Sequence, residues 1–166
     1  MMKLFRLICV LPVVLLPSWG ALHGSQVPPH SISRSKQFTV YGQVAEERGE
    51  VCSLAEDLKT RIQRSLGLSA TWRLPVTILL MPSLPGNEPA TISLRYLKGG
   101  QDAGTHVRID FRPGPGGQDL LKQRLVEAIL IDVASAGAAG IDARSISIPE
   151  WLVQGFLGIT ELGEFG

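Results

Sequence analysis

From Leu125 to Ala134 the chain reads LVEAILIDVA, an apolar run interrupted only by Glu127 and Asp132. The run belongs to a helical segment from about Gln118 to Ala136 whose first turn is polar and whose remainder is apolar almost all round. A helix with so little polar face cannot lie on the surface of a domain in water. It must be central, and the rest of the chain has to supply elements that cover it.

The 166 residues suit one domain with a real core. A hydrophobic content of 45% and a charged content of 19% exclude the disordered class. QFTVY (37–41) is a strand candidate rich in aromatic and β-branched residues. Between Val44 and Leu66, residues Val51, Leu54, Ala55, Leu58, Ile62 and Leu66 follow the three-four spacing of one helix face, with Glu56, Asp57, Lys59, Arg61 and Arg64 on the other and Gly67 placed to stop the helix. RLPVTILLM (73–81) is a nearly continuous apolar run and reads as a strand covered on both faces. TISLRYL (91–97) and THVRIDFR (105–112) alternate, Ile92, Leu94, Tyr96, Val107, Ile109 and Phe111 facing in, with Ser93, Arg95, His106, Arg108, Asp110 and Arg112 on a wet face. With KGGQDAG between them they form an antiparallel hairpin.

After the central helix, AGAAGIDARS turns the chain and SIPEWLVQGFLGI opens another helix. Ser147 and Glu150 have capping-box spacing, Pro149 fits the first turn, and Trp151 reads as a core anchor. No repeat is apparent. The expected class is α+β: a small mixed or antiparallel sheet packed with a long N-terminal helix and a central helix, then a P-x-W-L-x-x-G helix.

The N-terminus has a different character. Lys3 and Arg6 precede an apolar run from Leu7 to Leu16, followed by Pro17, Ser18 and Gly20, the pattern of a secretory signal cut after Gly20. The run falls short of the roughly 20 residues a spanning helix needs. Residues 1–20 are thus expected as signal, 21–36 as an extended lead-in and 37–166 as the domain, in the periplasm or outside the cell, with no stable membrane insertion. Without Lys3 and Arg6 the balance is 14 basic against 15 acidic side chains, which gives no nucleic-acid footprint. Cys9 leaves with the signal, so Cys52 has no intramolecular disulfide partner and reads as a small buried filler.

PEWLVQG (149–155), some twenty residues beyond a central helix that contains Glu127, resembles the corresponding helices of the gluzincin zinc peptidases, specifically the bacterial peptidase MA-like domains. The resemblance in order of elements covers about residues 33–160 and implies a zincin-like frame. It aligns VEAIL (126–130) with the family's HExxH motif, in which two imidazoles one turn apart bind zinc and the glutamate between them polarises the bound water. Those two positions hold Val126 and Leu130, and the third ligand position holds Gln154. Only Glu127 keeps its counterpart, as a relic general base. A base without its metal has no activated water to work on, so no metal and no cofactor is expected.

Two readings of Glu127 stand side by side. With Asp132 it forms two wet positions on a mostly buried helix, or it faces a relic cleft and hydrogen-bonds Gln154 or a ligand. His30, His106 and His23 offer no pair at ligand spacing, and His106 reads as a wet-face residue of its strand. The function implied is a secreted pseudoenzyme that binds an extended peptide or a protein, because the strand beside the active-site helix of such folds presents an edge for strand addition. Two alternatives are a hydrolase with a metal-free or non-standard site, and a structural fragment of a larger secreted protein, since related domains usually continue beyond the PEWLVQG helix.

Overall fold

The structure, a computed structural model, describes residues 28–68, 74–83, 85–98, 105–137 and 142–161. The expected signal 1–20, residues 21–27 of the lead-in with His23, the hairpin turn 99–104 and the residues after 161 lie outside the described residues. The elements are β1 (His30–Ile32), β2 (Phe38–Tyr41), α1 (Ala45–Leu66), β3 (Val76–Leu80), β4 (Thr91–Lys98), β5 (Thr105–Arg112), α2 (Gly117–Gly137), a 3-10 turn at Ala143–Ser145, and α3 (Glu150–Glu161). The strands form one five-stranded mixed sheet in the order β1-β2-β3-β5-β4, with β2, β3 and β5 parallel and the outer strands β1 and β4 antiparallel to their neighbours. The α+β class is the one observed.

Register decides which side chains meet the helices. Pairing aligns Phe38, Val76, Val107 and Tyr96 in one row and Val40, Ile78, Ile109 and Leu94 in the next. These rows join Ala55, Leu58 and Ile62 of α1, Leu125, Val126 and Ile129 of α2, and Val153 and Phe156 of α3 in a single apolar cluster. Helices α1 and α2 therefore pack on one face of the sheet and α3 packs against both of them, in a core where each fully buried large apolar side chain contributes about 1.5–3 kcal/mol. Because side chains alternate along a strand, the opposite face carries Thr39, Tyr41, Thr77, Leu79 and Arg108, all half-buried. This corrects the reading of 73–81 as a strand covered on both faces: β3 is shorter and alternates buried with half-buried residues. An apolar residue such as Leu79 on the open side disguises that alternation.

The long helix ends as its sequence demands. Gly67 takes a left-handed conformation (φ 64°), its N–H reaches the Arg64 carbonyl, and the Leu68 N–H reaches that of Gln63, which together make a Schellman motif. On the polar side of α1, however, Lys59 is buried and not wet as expected; it lies 4.0 Å from Glu56 and within the field of Asp132. Gly114, in the loop from β5 to α2, marks a close backbone approach: a Cβ there would stand 2.5 Å from the Glu88 carbonyl oxygen.

Two further expectations change. The lead-in contains β1, too short for periodicity to reveal and formed by pairing with β2. At α3 the expected capping box is not formed. The Pro149 carbonyl accepts from Leu152 and Val153, so the cap position is Pro149, two residues past Ser147, and the helix starts at Glu150.

The turn from β1 to β2 is held onto α1 by Glu56, whose carboxylate accepts from the Ser35 N–H at 2.9 Å and from the Ser35 hydroxyl. Burial pushes the Glu56 carboxyl up, but hydrogen bonds from Ser33 and Ser35 and the Lys59 charge outweigh it and hold the group below its ordinary value of 4.5. A carboxyl depressed in the folded state stabilises the fold above its unfolded pKa, and that contribution is lost as pH falls through the folded pKa. Denaturant unfolding of wild-type and Glu56→Gln proteins is expected to show a stability gap that is full near neutral pH and closes below the ordinary carboxyl range. A gap unchanged down to the acid limit contradicts this role.

Candidate functional site

The four positions of the resemblance lie on two packed helices. Val126 and Leu130, one turn apart on α2, are 0% and 5% exposed. Both belong to the main core, with Val153 and Phe156 of α3. Gln154 is exposed, on the side of α3 that also carries Glu150 and Trp151. The structure thus joins two of the positions in the interior and leaves the third at the surface. Trp151 is 73% exposed, which corrects its reading as a core anchor. The buried stripe of α3 runs through Val153 and Phe156, and a residue two positions before Val153 falls about 200° round the helix, on the far side.

Glu127 is half-buried and ion-paired with Arg124, one turn earlier on the same helix. Its charge also reaches Tyr96 of β4, whose phenol is pushed up first by burial and then by Glu127. The carboxylate is thus matched by a local cation at the boundary between α2 and β4. It has no hydrogen bond to Gln154 among the described residues.

Asp132, the second expected wet position, is a correction. It is 2% exposed and accepts the Leu74 N–H at 2.8 Å, which fixes the backbone as it enters β3. The Lys59 amine, pushed down by burial, is held up in part by Glu56 and Asp132. Beside them Gln37 donates to the Leu74 carbonyl at 3.2 Å and leaves its own side-chain oxygen buried without a partner. A buried charge persists only when paired and hydrogen-bonded, and Asp132 meets that condition as a structural carboxylate.

Other chemistry-bearing residues fall into place around this frame. Cys52 is buried, and burial followed by the Glu56 charge raises its thiol pKa, so it packs and is not activated. His30 stacks on Tyr41 with ring centroids 5.3 Å apart. His106 is half-buried on the open sheet face opposite Leu97. Among the described residues no group of three or more His, Cys, Asp or Glu side chains converges as a metal site, and no helix is long and apolar enough to cross a membrane.

Two features escaped the sequence reading. A cleft of about 330 Å³ opens at the carboxyl ends of β3 and β5, floored by Val51, Leu54, Phe111 and Leu121, with Glu47 and Glu50 at its rim. On the open sheet face, Asp110 is 6% exposed and not wet as its alternation suggested. Arg108 donates to it at 2.7 Å and Arg95 stands 3.3 Å away, so two guanidinium groups cover it. The hairpin register already implied this meeting, since it places Arg95 directly opposite Arg108 and Asp110 two residues further along β5.

Neither a family model, nor a curated protein, nor a solved structure matches the chain.

The three α2 positions separate by environment. Leu130→Ala is expected to cost about 2–5 kcal/mol, as for a core leucine, and Asp132→Ala about 1–3 kcal/mol because it leaves the buried Leu74 N–H without its acceptor. Glu127→Gln, which removes a half-exposed ion pair, is expected to cost under about 1 kcal/mol. Denaturant midpoints of the three variants check the order. A Leu130→Ala protein as stable as wild type would show that this face is not core.

Proposed function

We propose that the chain is an exported, non-catalytic peptidase-like domain that binds an extended peptide or protein segment along β4. The observation that carries this reading is the burial of Val126 and Leu130. A zinc peptidase needs ligands that meet at an open coordination position where water or substrate can enter. Here the two α2 positions are filled by apolar side chains packed into the core. Export rests on the pattern of residues 1–20.

Binding is assigned to β4 from its place in the sheet. It is an outermost strand, eight residues long, paired with β5 on one side and packed beside α2. An edge strand presents unpaired N–H and carbonyl groups that an incoming strand can use. Backbone hydrogen bonds then supply affinity, and the alternating side chains of the guest supply specificity.

Two measurements on the purified chain test the reading. Metal analysis is expected to find substoichiometric zinc, and amide hydrogen exchange with a pool of unfolded peptides is expected to show new protection in residues 91–98. Stoichiometric zinc would overturn the non-catalytic half, and protection confined to other segments would overturn the binding half.

A further inference from the structure

The open sheet face has a charge composition unlike the chain as a whole. Strand register places Arg95, Arg108, Asp110 and Arg112 on this face, together with uncharged residues such as Thr39 and Thr77. It therefore carries three arginines against one carboxylate, where the full sequence is nearly balanced at 16 basic and 15 acidic residues. The arginines lie together on β4 and β5, around a cavity of about 330 Å³ lined by Leu79, Met81, Ser93, Arg95, Arg108 and Asp110.

Asp110 determines what those arginines present outward. It is buried, and it takes Arg108 through Nε at 2.7 Å and Arg95 through one terminal nitrogen at 3.3 Å. A guanidinium has five N–H donors, so each arginine keeps donors beyond those given to Asp110. The Arg95 side chain is 64% exposed and that of Arg108 38%. Arg112 lies two residues further along β5, with a terminal nitrogen 3.9 Å from the Met81 sulfur. One buried anion thus fixes two cationic forks while leaving the face net positive. Donors held in place this way lose less conformational freedom when an anion arrives.

We infer that the segment bound at β4 is acidic on alternate residues, with carboxylates beside Arg95 on the open face and apolar side chains on the helix face. The inference rests on strand addition at β4. A strand added there lies about 4.8 Å from β4 and alternates faces in step with it. Its residues level with Ile92, Leu94 and Tyr96 meet the rim of the apolar core. Those level with Ser93, Arg95 and Leu97 stand over the open face, within reach of the Arg95 guanidinium. A lysine there would meet Arg95 as a like charge, whereas a glutamate forms a fork-shaped ion pair. The same edge without guests is kept from indiscriminate pairing by its own charge.

The probes are two labelled seven-residue peptides, one alternating valine with glutamate and one alternating valine with lysine. Each is titrated into the purified chain by fluorescence anisotropy, with hydrogen exchange of residues 91–98 read on the same mixtures. The glutamate peptide is expected to bind roughly three- to tenfold more tightly, to protect β4, and to lose most of its advantage at high salt. Arg95→Glu, at an exposed position, is expected to reverse the preference, and Arg95→Gln to reduce it. Equal binding of both peptides with β4 protected would overturn the acidic preference and leave strand addition standing. Absence of β4 protection with either peptide would overturn both.

Discussion

Between Leu125 and Asp132 helix α2 shows water only the half-buried Glu127. Six of those eight residues are buried apolar groups and a seventh, Asp132, is a buried carboxylate. The helix is covered by β4 and β5 beneath it and by α1 and α3 at its sides. The carboxylate at its far end adds a polar condition to the apolar one: Asp132 must have a partner, and it takes the Leu74 N–H and the field of Lys59. The strand that leads into the middle of the sheet is thereby tied to the helix above it. Covering one helix accounts for the single-sided arrangement, in which α1 and α2 share a sheet face with α3 packed against them, and the other face carries no helix among the described residues.

The same packing bears on chemistry. Space for a metal, its water and a substrate would have to come out of the cluster that Val126 and Leu130 share with Val153 and Phe156. Core packing leaves few voids larger than a water molecule, so a reaction centre on that face would have to displace core side chains. The cavities among the described residues lie elsewhere, on the face with Arg95, Arg108 and Asp110 and in the cleft near the first turns of α1 and α2. Glu127 sits on the border of this closed region, half-buried and balanced by Arg124.

The legible part of the fold was the part written as periodicity. The face of α1, the hairpin alternation through Val107, Ile109 and Phe111, the Gly67 stop and the central place of α2 could all be read from spacing. What could not be read was burial that depends on a distant partner. Lys59 and Asp132 looked like solvated charges because nothing local tells that they lie near each other across α1 and α2. Asp110 looked wet because the alternation of β5 is correct about its face and silent about two arginines folding over it. Trp151 misled for the opposite reason: its size suggested an anchor, while its angular position on α3 placed it outside. Val126, Leu130 and Gln154 are singled out only by the resemblance, and the parallel order of β2, β3 and β5 is a property of pairing that single strands do not announce.

The central claim is that the α2 face holding Val126 and Leu130 is closed core. Thiol labelling in the native state tests it most directly. Cysteines introduced singly as Val126→Cys and Leu130→Cys should react with a small thiol reagent as slowly as buried Cys52, and become reactive only with global unfolding. Rapid modification of either cysteine under native conditions would mean that the face opens to solvent, and the closed, non-catalytic account would fail.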